Sequence, residues 1–250
     1  MNEAAIPGAA RSPLCDGCSY AGTLLTQGRC TPGDVCVRAH SGRQIDRFFR
    51  ANSGQAENFL ADIFWERRAI AARYAPTERI GHLVSDPDEI VRRVVADRIP
   101  AGELLRMIGD PDREVRLGVA ARIPEQHLPR LARDPDYLIR SVVARRLPHG
   151  KLMKLVNDPE REVRKVVAQR LPPFALATLA DDPEPEVRAI VAERALPELA
   201  TRLLGDSEWW VRLAAVDRAP LDALPALLDD PEGEVRDAAR DRLAGAQPIA

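Results

Sequence analysis

The chain repeats itself with a period of 24 residues. An Asp, followed by Pro in all but one copy, recurs in constant phase, and an Arg stands six residues after each Asp. The Asp residues are Asp86, Asp110, Asp134, Asp158, Asp182, Asp206 and Asp230, and the Arg residues are Arg92, Arg116, Arg140, Arg164, Arg188, Arg212 and Arg236. A fixed period of this length indicates a solenoid, in which each unit buries its apolar face only by stacking on its neighbours.

Each unit reads as one full helix followed by one short helix. Asp86 suits the N-cap, Pro87 suits the first helical position, and an acid follows that faces the positive end of the helix dipole. The apolar spacing then predicts about three turns of helix, which Pro100 ends before a second piece of two turns at most. No segment alternates apolar and polar residues, so we expect an all-α fold without a sheet.

The repeats occupy most of the chain. Residues 62–85 look like a degraded first copy that has lost the Pro, and the last copy is truncated and polar, as expected of capping units. We therefore predict an N-terminal module at residues 1–61 and a solenoid of about eight repeats at residues 62–250.

The Arg residues form two columns. Arg92 and its equivalents could follow a phosphate backbone, but their one-to-one match with Asp favours a structural ladder of partly buried bidentate pairs. The second column places a cation near each helix C-terminus, where it opposes the dipole. Its members are Arg98, Arg122, Arg146, Arg170, Arg194, Arg218 and Arg242.

Composition and charge narrow the classes of protein. No apolar run approaches the ~18 residues of a membrane span and no signal peptide is evident, so we expect a cytoplasmic protein without membrane association. Residues 1–180 carry a net charge of +6 and residues 181–250 a net charge of −8. This asymmetry suggests an anionic partner at the N-terminal part, or head-to-tail self-contact.

All four cysteines lie near the N-terminus in a C-x2-C-x11-C-x5-C pattern formed by Cys15, Cys18, Cys30 and Cys36. In a reducing compartment such a set indicates metal ligands rather than disulfides. Two cofactors are compatible with the spacing, zinc held by four thiolates and a 4Fe-4S cluster, and the wide second pair favours the cluster slightly. His40 is expected to be an ordinary polar residue.

Charged and aromatic residues surround this motif. Its basic neighbours would balance an anionic cluster, or would simply form a solvated surface. They are Arg29, Arg38, Arg43 and Arg47. A set of aromatic residues is expected to join the module to the first repeat, and it comprises Phe48, Phe49, Phe59, Phe64, Trp65 and Tyr74. Trp209 is a candidate exposed anchor, whereas Trp210 is expected to be partly buried.

A four-cysteine module followed by repeats of the form Asp-Pro-x-x-x-Val-Arg-x-x-Val-Ala-x-Arg-Leu-Pro resembles the leucine-rich repeat variant (LRV) family over nearly the whole chain. The resemblance implies a right-handed superhelix of alternating α and 3₁₀ helices. It also implies a 4Fe-4S cluster bound by Cys15, Cys18, Cys30 and Cys36. The resemblance does not imply any particular biochemical activity.

The sequence favours a binding scaffold over an enzyme. There is no phosphate-binding glycine loop, H-E-x-x-H motif or nucleophile elbow, and no small-molecule substrate is apparent. We expect a protein partner, with the cluster serving as a structural element or as a sensor of redox state or oxygen. The alternatives are electron transfer to a docked redox partner and nucleic-acid binding, which is disfavoured because acids occur in every repeat.

Overall fold

The computed structural model describes residues 12–245, which fall into two compact units, one before and one after the division between Ile123 and Pro124. The α-helices are α1 (Gly42–Ala51), α2 (Trp65–Tyr74), α3 (Thr77–Ile80), α4 (Glu89–Arg98), α5 (Arg113–Arg122), α6 (Tyr137–Arg146), α7 (Arg161–Arg170), α8 (Pro185–Arg194), α9 (Pro197–Leu203), α10 (Trp209–Val216) and α11 (Gly233–Gly245). The 3₁₀ helices are Pro13–Cys15, Ser53–Phe59, Gly81–Ser85, Ala101–Met107, Glu125–Arg130, His149–Leu155, Pro173–Leu179 and Leu221–Leu227.

The alternation of α and 3₁₀ helices confirms the predicted repeat unit. Pro100 has an extended backbone between α4 and the following 3₁₀ helix, because a proline cannot continue the first helix but can open the second. Two repeats depart from the pattern. In the first copy the α-helix α3 precedes the 3₁₀ helix Gly81–Ser85, and in a later copy the second piece, α9, is an α-helix. There Leu196 replaces the usual Pro, and Pro197 takes the favourable first position of a true helix.

Strands are absent from residues 12–245 apart from one isolated bridge, between Thr31 and Val35. Within the same residues, no helix is long and apolar enough to cross a bilayer. The boundary predicted between residues 61 and 62 stays a prediction, and residues 1–11 of that module lie outside the described part.

The predicted helix start is wrong by two residues. The N-cap is Asp88, whose carboxylate accepts the N–H of Ile90 at 2.9 Å, and α4 begins only at Glu89. The carboxylate of Asp86 instead accepts the N–H of Asp88 at 2.9 Å and both guanidinium donors of Arg68. Asp86 therefore joins two repeats. Asp112 and Asp136 cap α5 and α6 in the same way as Asp88. The glutamates at this position, Glu160, Glu184 and Glu208, are N-cap residues without a side-chain cap bond.

The Asp/Arg column is an internal ladder, as predicted. In the first unit the guanidinium of Arg92 binds both carboxylate oxygens of Asp110, 18 residues later, at 2.8 and 3.0 Å. Its Nη1 also donates to the carbonyl of Asp86 at 2.8 Å. Arg92 thus closes its own turn and binds the Asp of the following repeat.

The second unit repeats this geometry. Four bidentate pairs have N–O distances between 2.7 and 2.9 Å, namely Arg140–Asp158, Arg164–Asp182, Arg188–Asp206 and Arg212–Asp230. The Asp carboxylates of these pairs are at most 6% exposed. Such pairs contribute only because geometry and hydrogen bonding offset the loss of hydration.

The second Arg column acts on a different helix from the predicted one. Arg98 donates to the carbonyls of Ala72 and Ala75, at the end of the preceding helix α2, rather than to its own helix. Arg170 likewise donates to Ala144 and Leu147, each at 2.7 Å. The cation therefore satisfies C-terminal carbonyls one repeat back.

The repeats bury small aliphatic side chains, and the largest aromatic residues of the second unit stay partly outside. Val91, Val95 and Leu104 are fully buried in the first unit. Trp209 and Trp210 are 38% and 37% exposed, so the expected difference in burial between them is wrong.

Candidate metal centre

The first two cysteines lie on a tight turn. The short 3₁₀ helix Pro13–Cys15 is capped by Ser12, and the N–H of Cys18 donates to the carbonyl of Cys15 at 3.1 Å. Gly17 lies between them with φ of +68°, a left-handed conformation that a side chain would strain. The turn therefore holds two thiols on one side of the chain.

The five residues between the other two cysteines form a hairpin-like turn. The N–H of Thr31 donates to the carbonyl of Val35 at 2.9 Å, with Pro32 and Gly33 at the tip and Gly33 at φ of +76°. A Pro-Gly pair with positive φ at the second position is typical of a type II turn. Folding the spacer back brings the ends of a wide C-x5-C together.

The structure gathers all four predicted ligands around one cavity. Cys15, Cys18, Cys30 and Cys36 line it together with apolar side chains that include Leu14, Tyr20, Leu25, Val37 and Phe48. All four thiols are free. In residues 12–245, no three His, Cys, Asp or Glu side chains converge closely enough to hold a single ion. Four thiols around a common space are the donor set that a 4Fe-4S cluster requires and one that zinc also accepts.

The thiols influence one another. Burial raises the pKa of Cys15, and the nearby Cys18 and Cys36 raise it further, while Arg38 acts in the opposite direction. Burial likewise raises the pKa of Cys30, again with contributions from the other three cysteines. Because thiolates are the ligating form, the donor set becomes favourable only with a positively charged centre between the sulphurs.

The arginines near the motif support its backbone. Arg38 donates to the carbonyl of Asp16 at 2.5 Å, Arg29 donates to the carbonyl of Ala51 at 3.1 Å, and Arg47 pairs with Asp34. These three contacts hold the loop together. His40 is exposed and does not line the cavity, in line with its interpretation as an ordinary polar residue.

An aromatic core joins the module to the first repeat. Phe48 and Phe49 of α1 are at most 1% exposed, and Phe49 contacts Phe59 edge-to-face at 5.4 Å and stacks on Tyr74 at 6.2 Å. Tyr20, which the sequence did not single out, contacts Phe48 at 5.4 Å and lines the cysteine cavity.

Two aromatic residues predicted for this core stand apart from it. Phe64 and Trp65 contact each other at 6.1 Å, and Trp65 is 39% exposed. The core therefore connects the cysteine cavity to α2 without them.

Asn52 is a further residue of the site that sequence reasoning missed. Its side chain is buried, and its amide nitrogen donates to the carbonyl of Arg29 at 2.9 Å and of Phe48 at 3.0 Å. Arg29 directly precedes Cys30, so Asn52 fixes the end of α1 to the loop that carries a predicted ligand. A single buried Asn 16 residues after the last cysteine, Cys36, gives no sequence signal.

Comparisons with known proteins agree with this arrangement. A model of the LRV protein FeS4 cluster matches residues 12–58, and a model of the leucine-rich repeat variant matches residues 113–136, 161–184 and 209–232. A solved structure described as a leucine-rich repeat variant with a novel repetitive structural motif is 52% identical. The match covers 92% of this chain and 98% of that one, with a TM-score of 0.86.

Two other similarities are more limited. An uncharacterised 27.7 kDa protein of Rhodobacter capsulatus, named for the 3′ region of nifB, is 37% identical over 87 residues, about a third of either chain. The crystal structure of an engineered protein is 18% identical over 82% of this chain and 70% of that one, with a TM-score of 0.36, which is too low to indicate a common fold. The 52% identical structure and the family models together show that the chain belongs to the leucine-rich repeat variant family and that a 4Fe-4S cluster is its cofactor.

Proposed function

We propose that the protein is a binding scaffold whose repeats carry a surface for another protein and whose cluster holds, or reports on, the N-terminal end of that surface. Cys15, Cys18, Cys30 and Cys36 are the proposed ligands. When bound, the cluster supplies one-electron redox chemistry and sensitivity to oxygen. Four thiolate ligands leave no open coordination position, which argues against a substrate site at the iron.

The observation that carries this proposal is the shared aromatic core. Phe48 lines the cysteine cavity and lies edge-to-face against Phe49 at 5.4 Å, and Phe49 stacks on Tyr74 at the end of α2. Rings in direct contact transmit a change of shape from the cysteine cavity to α2, because well-packed cores do not deform continuously. Loss of the cluster would therefore alter the first repeat.

The ladder supports a protein partner over a nucleic acid. Arg92, Arg140 and Arg164 each use their guanidinium on an Asp carboxylate and on backbone carbonyls. A phosphate backbone would have to displace these bonds in order to bind the column. The cations that remain available are interspersed with acids, which weakens the attraction for a polyanion.

Electron transfer is the second candidate function, and one observation favours it. Cys15, Cys18 and Cys30 are only half-buried, so a cluster bound there would lie near the surface, where a redox partner or oxygen can approach it. The two functions differ in what the partner does after binding.

Anaerobic purification of the tagged full chain, holo and as Cys18→Ser, tests the proposal. We expect one protein to co-purify in a fixed ratio with the holo form and to rebind after purification, with altered affinity for the clusterless form. Recovery of nucleic acid, or equal binding of both forms, would contradict it. Stoichiometric reduction of the partner by the reduced cluster would establish electron transfer instead.

A further inference from the structure

A groove lies beside the cluster module, between α1, α2 and α4. It has a volume of about 760 Å³ and is lined by Arg43 and Arg50 from α1, by Trp65 and Arg73 from α2, and by Ile90 from α4. All of these residues belong to the first unit. The groove is separate from the cysteine cavity, and the two share the helix α1, which turns Phe48 to the cavity.

The groove contains two acids, Asp46 and Glu66. Asp46 accepts a hydrogen bond from Arg50 and one from the hydroxyl of Tyr74, both at 2.9 Å. The carboxylate of Glu66 lies against Gly42, the first residue of α1, where a negative charge is favourable at the helix N-terminus. The groove therefore holds three arginines against two acids, and one of these acids is already paired with Arg50.

Two cations of the groove are left uncompensated. Arg43 and Arg73 are exposed, and neither forms an ion pair or a side-chain hydrogen bond with residues 12–245. The partners that the ladder supplies to its arginines are missing here, because neither residue belongs to the Asp/Arg column. A guanidinium in this state is well suited to bind a carboxylate from outside.

An apolar platform lines the same groove as these cations. The indole of Trp65 is 39% exposed at a register where the next two repeats carry Glu89 and Arg113, and Ile90 lies on the adjacent helix. Trp and Arg are the residues that most often dominate protein–protein interfaces. A charged ligand without an apolar part would leave this platform uncovered.

We propose that this groove binds an acidic segment of a partner protein, with carboxylates on Arg43 and Arg73 and an apolar side chain against Trp65. This assignment deepens the proposed function and rests on it, since it says where the scaffold binds and what it recognises. Because α1 contributes both to the groove and to the cysteine cavity, affinity for the segment depends on the cluster.

A display library of random 12-residue peptides, screened anaerobically against the holo protein, tests this assignment. We expect enriched peptides to be acidic and to contain a large apolar residue. Their affinity, measured by fluorescence anisotropy of labelled peptides, should fall about tenfold or more in Arg43→Glu/Arg73→Glu, because each reversal turns an attraction into a repulsion. Both side chains are exposed and unpaired, so helicity and iron content should stay unchanged.

Arg133→Glu/Arg145→Glu is the matched control, since it makes the same change of charge at two exposed arginines outside the groove. Arg145 also stands at the same register of its repeat as Arg73. Peptides without an acidic bias, absence of enrichment, or equal losses in both double variants would overturn the assignment. Self-association abolished by the groove variant would identify a second copy of the chain as the occupant instead.

The proposed function has a separate readout. If a partner still co-purifies with the holo form and with Arg43→Glu/Arg73→Glu, the scaffold stands and the groove is the wrong surface. If no partner is found while acidic peptides bind the groove, the surface is real and the partner is not a stable one.

Discussion

Replacing Arg140 by Ala tests whether the Asp/Arg ladder stabilises the second unit. Arg140 binds both oxygens of Asp158 at 2.8 and 2.9 Å and donates to the carbonyl of Asp134 at 2.7 Å. The Arg140 and Asp158 side chains are 9% and 3% exposed. The substitution leaves Asp158 with the N–H of Glu160 as its remaining hydrogen-bond donor in the ladder.

The expected loss follows from the charge left behind. Removing one partner of a buried ion pair costs about 3 to 5 kcal/mol, and the edge of the ladder is accessible enough to water to lower this to about 2 to 4 kcal/mol. For a protein of this size, a loss of about 3 kcal/mol lowers the Tm by about 6 to 12 °C. Thermal and urea unfolding, followed by circular dichroism, measure both quantities.

Arg236→Ala is the matched control. Arg236 holds the same register and donates to the carbonyls of Asp230 and Pro231, but within residues 12–245 it forms no ion pair with an Asp. The loss of these two hydrogen bonds should cost about 1 to 2 kcal/mol, less than the loss at Arg140. A further substitution, Asp158→Asn in the Arg140→Ala background, should recover part of the stability because it removes the unpaired charge. Equal and negligible effects at both arginines would refute the structural ladder.

Three further predictions concern the cluster and pH. Anaerobically purified protein should be brown, with about four iron atoms and four labile sulphides per chain, whereas one zinc without sulphide would contradict the cluster. Cys18→Ser should abolish the cluster and raise hydrogen exchange strongly up to about residue 60 and less in α2, while the later repeats keep their helicity, since solenoid units depend on nearest neighbours. Burial raises the pKa of Asp206, but the Arg188 hydrogen bond and other donors outweigh it, and the Arg212 hydrogen bond lowers the pKa of Asp230. A carboxyl group whose pKa is lower in the folded state stabilises the fold at pH values above its unfolded pKa of about 3.9, and this stabilisation is lost on acidification. The free energy of unfolding should therefore be constant down to about pH 5 and decrease below about pH 4. A rise in stability over that acidic range would contradict the linkage.

The repeat fold was predictable because the same residue types recur at the same spacing in every copy. A constant distance between Asp and Arg indicates pairing, but it does not show which neighbour supplies the partner. The structure shows that Arg92 reaches forward to Asp110 and that Arg98 reaches back to the end of α2. The direction in which each Arg side chain reaches depends on how one repeat packs on the next. The sequence of a single repeat does not contain this information.

The helix start was mispredicted because two acids compete for one role. Asp86 and Asp88 flank a Pro, and either side chain is able to cap a helix. The guanidinium of Arg68 takes the carboxylate of Asp86, so Asp88 is left to cap α4. A contact 18 residues away thus decides a local geometry.

The cysteine site was also predictable only in part. The convergence of four thiols follows from short spacings with glycines at the turns, and both features are visible in the sequence. The supporting residues Tyr20 and Asn52 were not predicted, because their contacts to Phe48 and Arg29 depend on how α1 folds back on the loop. The backbone contacts of Arg29 and Arg38 were not predicted either, and a role of these arginines in balancing the cluster's charge stays a prediction.

Periodicity also indicates where recognition has to occur. A residue that recurs in every copy, such as the ladder Arg, is committed to holding the repeats together and cannot distinguish one partner from another. Three residues after the ladder Asp the chain places residues as different as Trp65, Glu89, Tyr137 and Trp209, and all four are exposed. Structure imposes little at that register, so its aromatic members are free to serve binding. Trp65 combines this freedom with two unpaired arginines, and on that ground the groove beside the cluster module, rather than the Arg ladder, is the surface to test first.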